Sequence, residues 1–392
     1  MEKYEDALRC LNSRRAAPKS CIQDMRGVDD MKSWLRLLGY DLDVFDTLST
    51  IHVAGSNGKG STCASIAGLL QAYGESTSCP KRVGLYTSPH LISVRERIQI
   101  NGRPVSKSLF TEHFFKVWKR LPDHATNELD CPRYLQLLFL LAVDIFVCEH
   151  VDVAIIETHM GGEYDATNIL PQPIVAAVTS LGSDHSHLLG NASEIAWHKG
   201  GIYKRGTLAF SVPQALEQEQ MLRQRASSVN QLLQIASIDE ANASEQDTST
   251  PAARKCNDIL AVAVARAFLR KKATFDGQVL NSQLIEDGLR RVPWPGRFEI
   301  VPRKNILFFL DGGHNQDAMC HTAHWFGEKV RPAPQHCVLV FAHYSSRDDV
   351  AMLEHLVNAL ERAEVAPHYV ILTSYKSGTE AHSLGMSNEA PI

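Results

Sequence analysis

The stretch with the clearest chemistry is Gly55-Ser56-Asn57-Gly58-Lys59-Gly60-Ser61-Thr62. Its three glycines let a backbone turn tightly and aim N–H groups at an anion. Lys59 offers a mobile full charge for outer phosphates, and Ser61 or Thr62 offers a hydroxyl for a magnesium ion. The strict Walker pattern would have glycine at Val53 and a hydroxyl at Gly60, so a plain glycine-rich turn is the bland alternative. Context favours phosphate. Ile51-His52-Val53-Ala54 is short, apolar and β-prone, and Ala64, Ile66, Ala67, Leu69 and Leu70 then form the apolar positions of a helix. Strand, glycine loop and helix put a helix N-terminus, with its partial positive charge, behind the phosphates.

Other polar groups also stand just after apolar runs. Glu157 closes residues 151–157, the place where P-loop nucleotidases keep the acid that holds magnesium. Gly161-Gly162 and Asp165-Ala166-Thr167-Asn168 follow it. Asp184 and His185 follow the run 174–181; alone they read as a helix cap and a surface histidine. Lys199, near a helix end, reads alone as a charge against the dipole. Asp311-Gly312-Gly313-His314-Asn315 follows the run 306–310. Cys320, His321 and His324 share a helix face, but no second ligand pair stands at zinc spacing, so zinc is not the favoured reading.

Strand patterns at 83–87, 151–157, 174–181, 208–212, 306–310, 337–341 and 368–373 alternate with helical patterns. The helices fall at 4–12, 31–38, 109–121, 134–149, 193–199, 213–226, 257–268, 284–291, 317–330 and 349–362. Such alternation predicts an α/β fold with doubly wound parallel sheets, the first of P-loop type. Residues 238–253 lack periodicity and read as an exposed loop, and 375–392 read as a disordered tail. Pro293-Trp294-Pro295-Gly296 is a rigid break, which predicts an ATP-binding domain over 1–295 and a smaller Rossmann-like domain over 296–374.

Composition sets bounds. The 392 residues suffice for two domains, and 44% hydrophobic with 21% charged content is ordinary for a globular protein. A net charge of −4 gives no sign of nucleic acid or an anionic membrane surface. The apolar segment 134–147 contains Gln136 and Asp144 and is too short to span a bilayer. Nine cysteines without a C-x-x-C pair suit reduced thiols, and the acidic start Met1-Glu2-Lys3-Tyr4-Glu5-Asp6 does not suit a presequence. A cytoplasmic monomer is expected; a mitochondrial form stays open.

Taken together the loops resemble the folylpolyglutamate synthase family of the Mur ligase superfamily. Residues 55–62 match its G-T-N-G-K-G-S loop. Thr87-Ser88-Pro89-His90-Leu91, with Arg95-Glu96-Arg97-Ile98, matches its second loop. Residues 157–168 match E-V-G-x-G-G-x-x-D-x-T-N, and Gly182-Ser183-Asp184-His185 with Leu189-Gly190 matches G-x-D-H-x-x-x-L-G. Trp197-His198-Lys199-Gly200-Gly201-Ile202, Trp294-Pro295-Gly296-Arg297 and residues 311–315 match W-H-K-A-G-I, W-P-G-R and D-G-A-H-N.

The resemblance implies an ATP-dependent acid–amino-acid ligase, forming ADP. ATP phosphorylates the γ-carboxylate of a reduced folate, and the amine of L-glutamate attacks the acyl phosphate. It implies ATP and Mg2+, with K+ as an optional addition. Gly55, Ser56, Asn57, Gly58, Lys59, Gly60, Ser61 and Thr62 would bind the nucleotide, joined by Arg297, Asp311 and His314 from the second domain. Ser61, Ser88, Glu157 and His185 would ligate metal. Lys59, Glu157, His185 and Lys199 would serve catalysis, with Lys199 aligned to a carbamylated lysine whose pKa must be depressed.

The chain also departs from the pattern. Thr158-His159 replaces Val-Gly, so an imidazole would crowd the metal acid or add a ligand. Gly201 and Gly313 replace alanines, and Ser183 is a mild change. Fewer than a hundred residues follow Pro295, where a complete second domain would take about 130. That predicts a shortened domain with an exposed sheet edge. The alternatives are a paralogous ligase acting on a non-folate acid, and a catalytically weak nucleotide- or folate-binding protein.

Overall fold

The computed structural model describes residues 2–14, 24–121, 131–182, 189–237, 250–272, 280–291, 294–331, 336–342 and 349–373. The chain divides into two compact units, Met1–Pro295 and Gly296–Ile392.

The first unit is built on an eight-stranded sheet of order β4-β3-β2-β5-β1-β6-β7-β8. Its parallel strands are β1 (Ile51–Ala54), β2 (Val83–Tyr86), β5 (Val153–Glu157), β6 (Val175–Val178), β7 (Leu208–Ser211) and β8 (Leu233–Ile235). β1 lies between β5 and β6, with Val53 opposite Glu157 on one side and Ala177 on the other. Such a strand is covered on both faces, which is why it reads as an apolar run rather than an alternation. Loops leaving β1, β2, β5 and β6 therefore emerge at one sheet edge, where open α/β sheets build sites.

Helices cover both faces. Lys59–Thr77, Ala252–Lys271 and Ser282–Arg291 pack together on one side, burying Ile66, Leu69, Leu70, Leu260, Val264 and Ile285 with Val53 and Ile155. Tyr4–Asn12, Arg26–Leu37, Lys107–Trp118 and Tyr134–Cys148 line the other, around Leu11, Leu35, Phe110, Phe114, Leu138 and Phe146. Tyr134–Cys148 is thus a core helix, and no described helix is long and apolar enough to cross a membrane.

The structure corrects several sequence-based expectations. The parallel sheet carries an antiparallel edge, β3 (Ile98–Ile100) and β4 (Arg103–Pro104). Asn101 and Gly102, both at positive φ, make its hairpin turn, and this Asn-Gly pair was the available signal. Ala252 begins a helix, so the expected loop 238–253 ends earlier; its residues 238–249, and the expected tail 375–392, lie outside the described residues. Helix Arg26–Leu37 starts a turn before the apolar period at Met31 shows.

The second unit pairs β9 (Glu299–Arg303) with β10 (Ile306–Leu310) antiparallel, and β11 (Val338–Ala342) with β12 (Tyr369–Thr373) parallel. β9 had no sequence signal strong enough to assign it: Glu299, Pro302 and Arg303 interrupt any apolar run. Helices Gln316–Val330 and Asp349–Arg362 bury Met319, Ala323, Met352 and Leu356. β12 is exposed along its whole length.

Candidate functional site

The loop after β1 ends in Gly58, which caps helix Lys59–Thr77 with φ 85°. An L-residue is strained there. A Cβ on Gly58 would lie 2.1 Å from Asn257 Oδ1, and one on Gly55 would lie 1.8 Å from Thr179 Oγ1. Neighbouring side chains therefore occupy the space the glycines leave. The loop is pinned to the end of β6: Ser56 and Asn57 donate their N–H groups to Ser180 O at 3.0 and 3.2 Å, and Thr179 Oγ1 donates to Asn57 O at 2.7 Å. This narrows the expected cradle. Ser56 and Asn57 hold the loop shape, while the N–H groups without an intrahelical partner are those of the first turn beginning at Lys59.

Two lysines converge on one carbonyl. Lys59 Nζ donates to Gly55 O at 3.0 Å and to Ser56 O at 3.4 Å, and buried Lys199 Nζ donates to Gly55 O at 2.8 Å. The end of the helix carrying Lys199 is locked against the loop after β5. Glu163 N donates to His198 O at 2.7 Å, Asn168 Nδ2 to Glu163 O at 2.9 Å and to Gly201 O at 3.3 Å, and Arg225 pairs with Glu163. Lys199, weak as a signal in the sequence alone, thus sits under the glycine loop.

Glu157 is buried at the end of β5, and its Oε2 accepts from Ser88 N at 2.9 Å. The same oxygen would lie 3.4 Å from a Cβ on Gly60, which also would lie 3.0 Å from the Trp294 ring. The carboxylate therefore faces the helix start, and the absence of a side chain at Gly60 keeps that approach open. The donors fit magnesium. Ser61, Ser88 and Glu157 offer hard oxygens, and the next residue of the helix start, Thr62, has a buried Oγ1 with no hydrogen-bond partner. Asp184 and His185 lie outside the described residues.

Both ring nitrogens of His159 face groups other than Glu157. Its Nε2 lies 2.6 Å from the Tyr86 hydroxyl, its Nδ1 lies 3.8 Å from Asp165 Oδ1, and burial holds it below its ordinary pKa. Asp165 accepts from Met160 N, Thr167 N and Thr167 Oγ1 at 2.7–2.9 Å. Because Thr167 gives its proton to Asp165, it accepts from His52 Nε2 at 2.8 Å; burial holds His52 down to about 3 and neutral.

Within the second unit Arg297, Asp311 and His314 gather at one turn. Gly312 N donates to Gly296 O at 2.8 Å, and Arg297 Nη1 occupies the space a side chain on Gly312 would fill. Asp311 clips the turn together, accepting from Phe298 N, Gly313 N and Thr322 Oγ1 at 2.8–2.9 Å. His314 is exposed, with Nδ1 3.1 Å from Gly312 O.

Sequence reasoning missed Gln214, whose side-chain amide clamps Thr179 O and Leu181 N at 2.9 and 3.1 Å and so supports the glycine loop from behind. A glutamine beyond a strand has no distinguishing pattern. It also missed a buried cluster where Asp144 meets His113, Lys116 and Tyr40 at 2.6–2.7 Å, with Cys148 beside it. The Lys116 ammonium already fills the cation position there. On the helix considered for zinc, Cys320 Sγ meets His355 Nε2 at 3.4 Å and His324 pairs with Glu328.

The chain is 39% identical over 373 residues to a protein named probable folylpolyglutamate synthase from Schizosaccharomyces pombe, covering 91% of this chain and 74% of that one. It is 36% identical over 384 residues to the folylpolyglutamate synthase of Neurospora crassa, covering 92% and 72%. The structure matches a Mycobacterium tuberculosis folylpolyglutamate synthase complexed with ADP at a TM-score of 0.77 and 22% identity, over 96% of this chain and 82% of that one, which establishes a shared fold. No family model matches the chain.

Proposed function

Because the chain belongs to the folylpolyglutamate synthase family, we propose that it joins L-glutamate to the γ-carboxylate of a reduced folate, using ATP and releasing ADP and phosphate. An amide from two ions is uphill in water, so the acid must first be activated as an acyl phosphate. Catalysis is then a matter of positioning and of neutralising phosphoryl charge.

In this reading the triphosphate lies at the first turn of helix Lys59–Thr77. Lys59 exchanges its bonds with Gly55 and Ser56 for the outer phosphates. Lys199 braces the Gly55 carbonyl, and it would be the lysine carbamylated beside the metal. Ser61, Ser88 and Glu157 hold magnesium, with His185 as a further ligand; the ion supplies charge neutralisation at the phosphoryl oxygens. Arg297 and His314 are assigned to the nucleotide. Asp311 is better suited to shaping their turn than to touching ligand, since both its oxygens accept local hydrogen bonds.

The observation that supports this reading most is the meeting of two lysines, a buried carboxylate and a helix N-terminus at the ends of two neighbouring central strands. The test is purified protein with ATP, magnesium, L-glutamate and tetrahydrofolate, followed by ADP release and product mass. Glutamate-extended folate is the expected product. ADP release only with another acid would replace folate in the proposal, and nucleotide binding without turnover would leave a binding protein.

A further inference from the structure

β2 and β5 are parallel neighbours, with Tyr86 opposite Ile156. Their end loops carry Ser88 and Glu157, joined by the bond from Ser88 N to Glu157 Oε2. A second tie lies beside it. The fully buried Tyr86 hydroxyl and the His159 Nε2 are 2.6 Å apart, and the rings meet edge to face at 5.5 Å and 73°. The hydroxyl's other neighbour, Leu135 O, is more distant at 3.3 Å.

The partners set the tautomer. His159 Nδ1 faces the Asp165 carboxylate, so it carries the proton, and Nε2 accepts from Tyr86. Asp165 is itself fixed by Met160 N, Thr167 N and Thr167 Oγ1, and its Oδ1 faces Nδ1 at 3.8 Å, beyond hydrogen-bond distance, so the bond to Tyr86 is the one that holds the imidazole. A tie between two buried groups at this distance resists separation, since His159 Nε2 would lose its partner and the Tyr86 hydroxyl would keep only the longer bond to Leu135 O.

We infer that His159 is a positioning residue: through Tyr86 it sets the spacing of the two strand-end loops that carry Ser88 and Glu157. The inference rests on the magnesium–nucleotide reading above. It explains how an imidazole two residues from the metal acid serves the site without ligating.

The test is calorimetric binding of ATP to the full chain, with and without magnesium, for wild type, Tyr86→Phe, His159→Leu, His159→Gln and the Tyr86→Phe/His159→Leu double variant. Tyr86→Phe and His159→Leu each weaken binding about tenfold with magnesium, and much less without it. The double variant is no weaker than either single, and His159→Gln, whose amide oxygen can accept from Tyr86, recovers most of the loss. Losses that add in the double variant, or that are equal without magnesium, overturn the inference, whatever the variants do to melting temperature. If wild type binds ATP with no magnesium dependence, the site reading fails and this role fails with it. If wild type responds to magnesium and the variants match it, only the role of His159 fails.

Discussion

Replacing Gly58 by alanine perturbs the glycine loop at the point where geometry leaves least room. The residue sits at φ 85° as the cap of helix Lys59–Thr77, and an L-residue in that region costs about 1–2 kcal/mol. The new Cβ would also stand 2.1 Å from Asn257 Oδ1. Asn257 is buried on helix Ala252–Lys271, which packs against the loop's own helix, so relief requires an off-rotamer side chain or a shifted helix, a further ~1–2 kcal/mol. The sum, about 2–4 kcal/mol, corresponds to a fall in melting temperature of roughly 3–7 °C for a unit of this size. Differential scanning fluorimetry reads that fall, and ATP titration reads loss of the aligned first turn. Adding Asn257→Ala to Gly58→Ala removes the overlap and leaves the strain, so about half the loss returns as a coupling energy. A Gly58→Ala protein that melts within about 1 °C of wild type and binds ATP equally would refute the reasoning, as would a double variant with no recovery.

Lys59→Ala removes the one mobile cation of the loop and should abolish ATP turnover while leaving the melting temperature nearly unchanged; equal turnover would remove the phosphate assignment. His52 is held down to about 3, so the unfolded chain takes up a proton below about pH 6.5 that the folded chain refuses. Stability should therefore fall with acid from there, by at most ~1.4 kcal/mol per pH unit, and His52→Gln should flatten that slope in urea unfolding between pH 6 and 4 (about that range). Burial raises the Asp144 carboxyl, but bonds from His113, Lys116 and Tyr40 outweigh it and leave it below the ordinary range. Its contribution is full above about pH 4 and is lost as pH falls through the lowered folded value. Asp144→Asn should cost about 3 kcal/mol at neutral pH by stranding partly buried Lys116, and the gap to wild type should narrow only under strong acid.

What the sequence determined by itself was local or strictly patterned. Residues 51–70 show strand, loop and helix because each depends on neighbours a few positions away, and the loop's glycines and lysine are chemical types with few other uses. Glu157 was legible because an acid closing an apolar run is conspicuous. Tertiary structure alone decided what faces what. Lys199 lies 144 residues from Gly55 yet donates to its carbonyl, Gln214 holds the segment after β6, and His159 turns to Tyr86 rather than to Glu157. Those outcomes follow from strand order. Placing β5 and β6 on either side of β1 joins distant loops at one edge, and the hydrogen-bond demands of buried groups then select the partners. No local pattern encodes that selection, because the competing partners come from segments far apart in the chain.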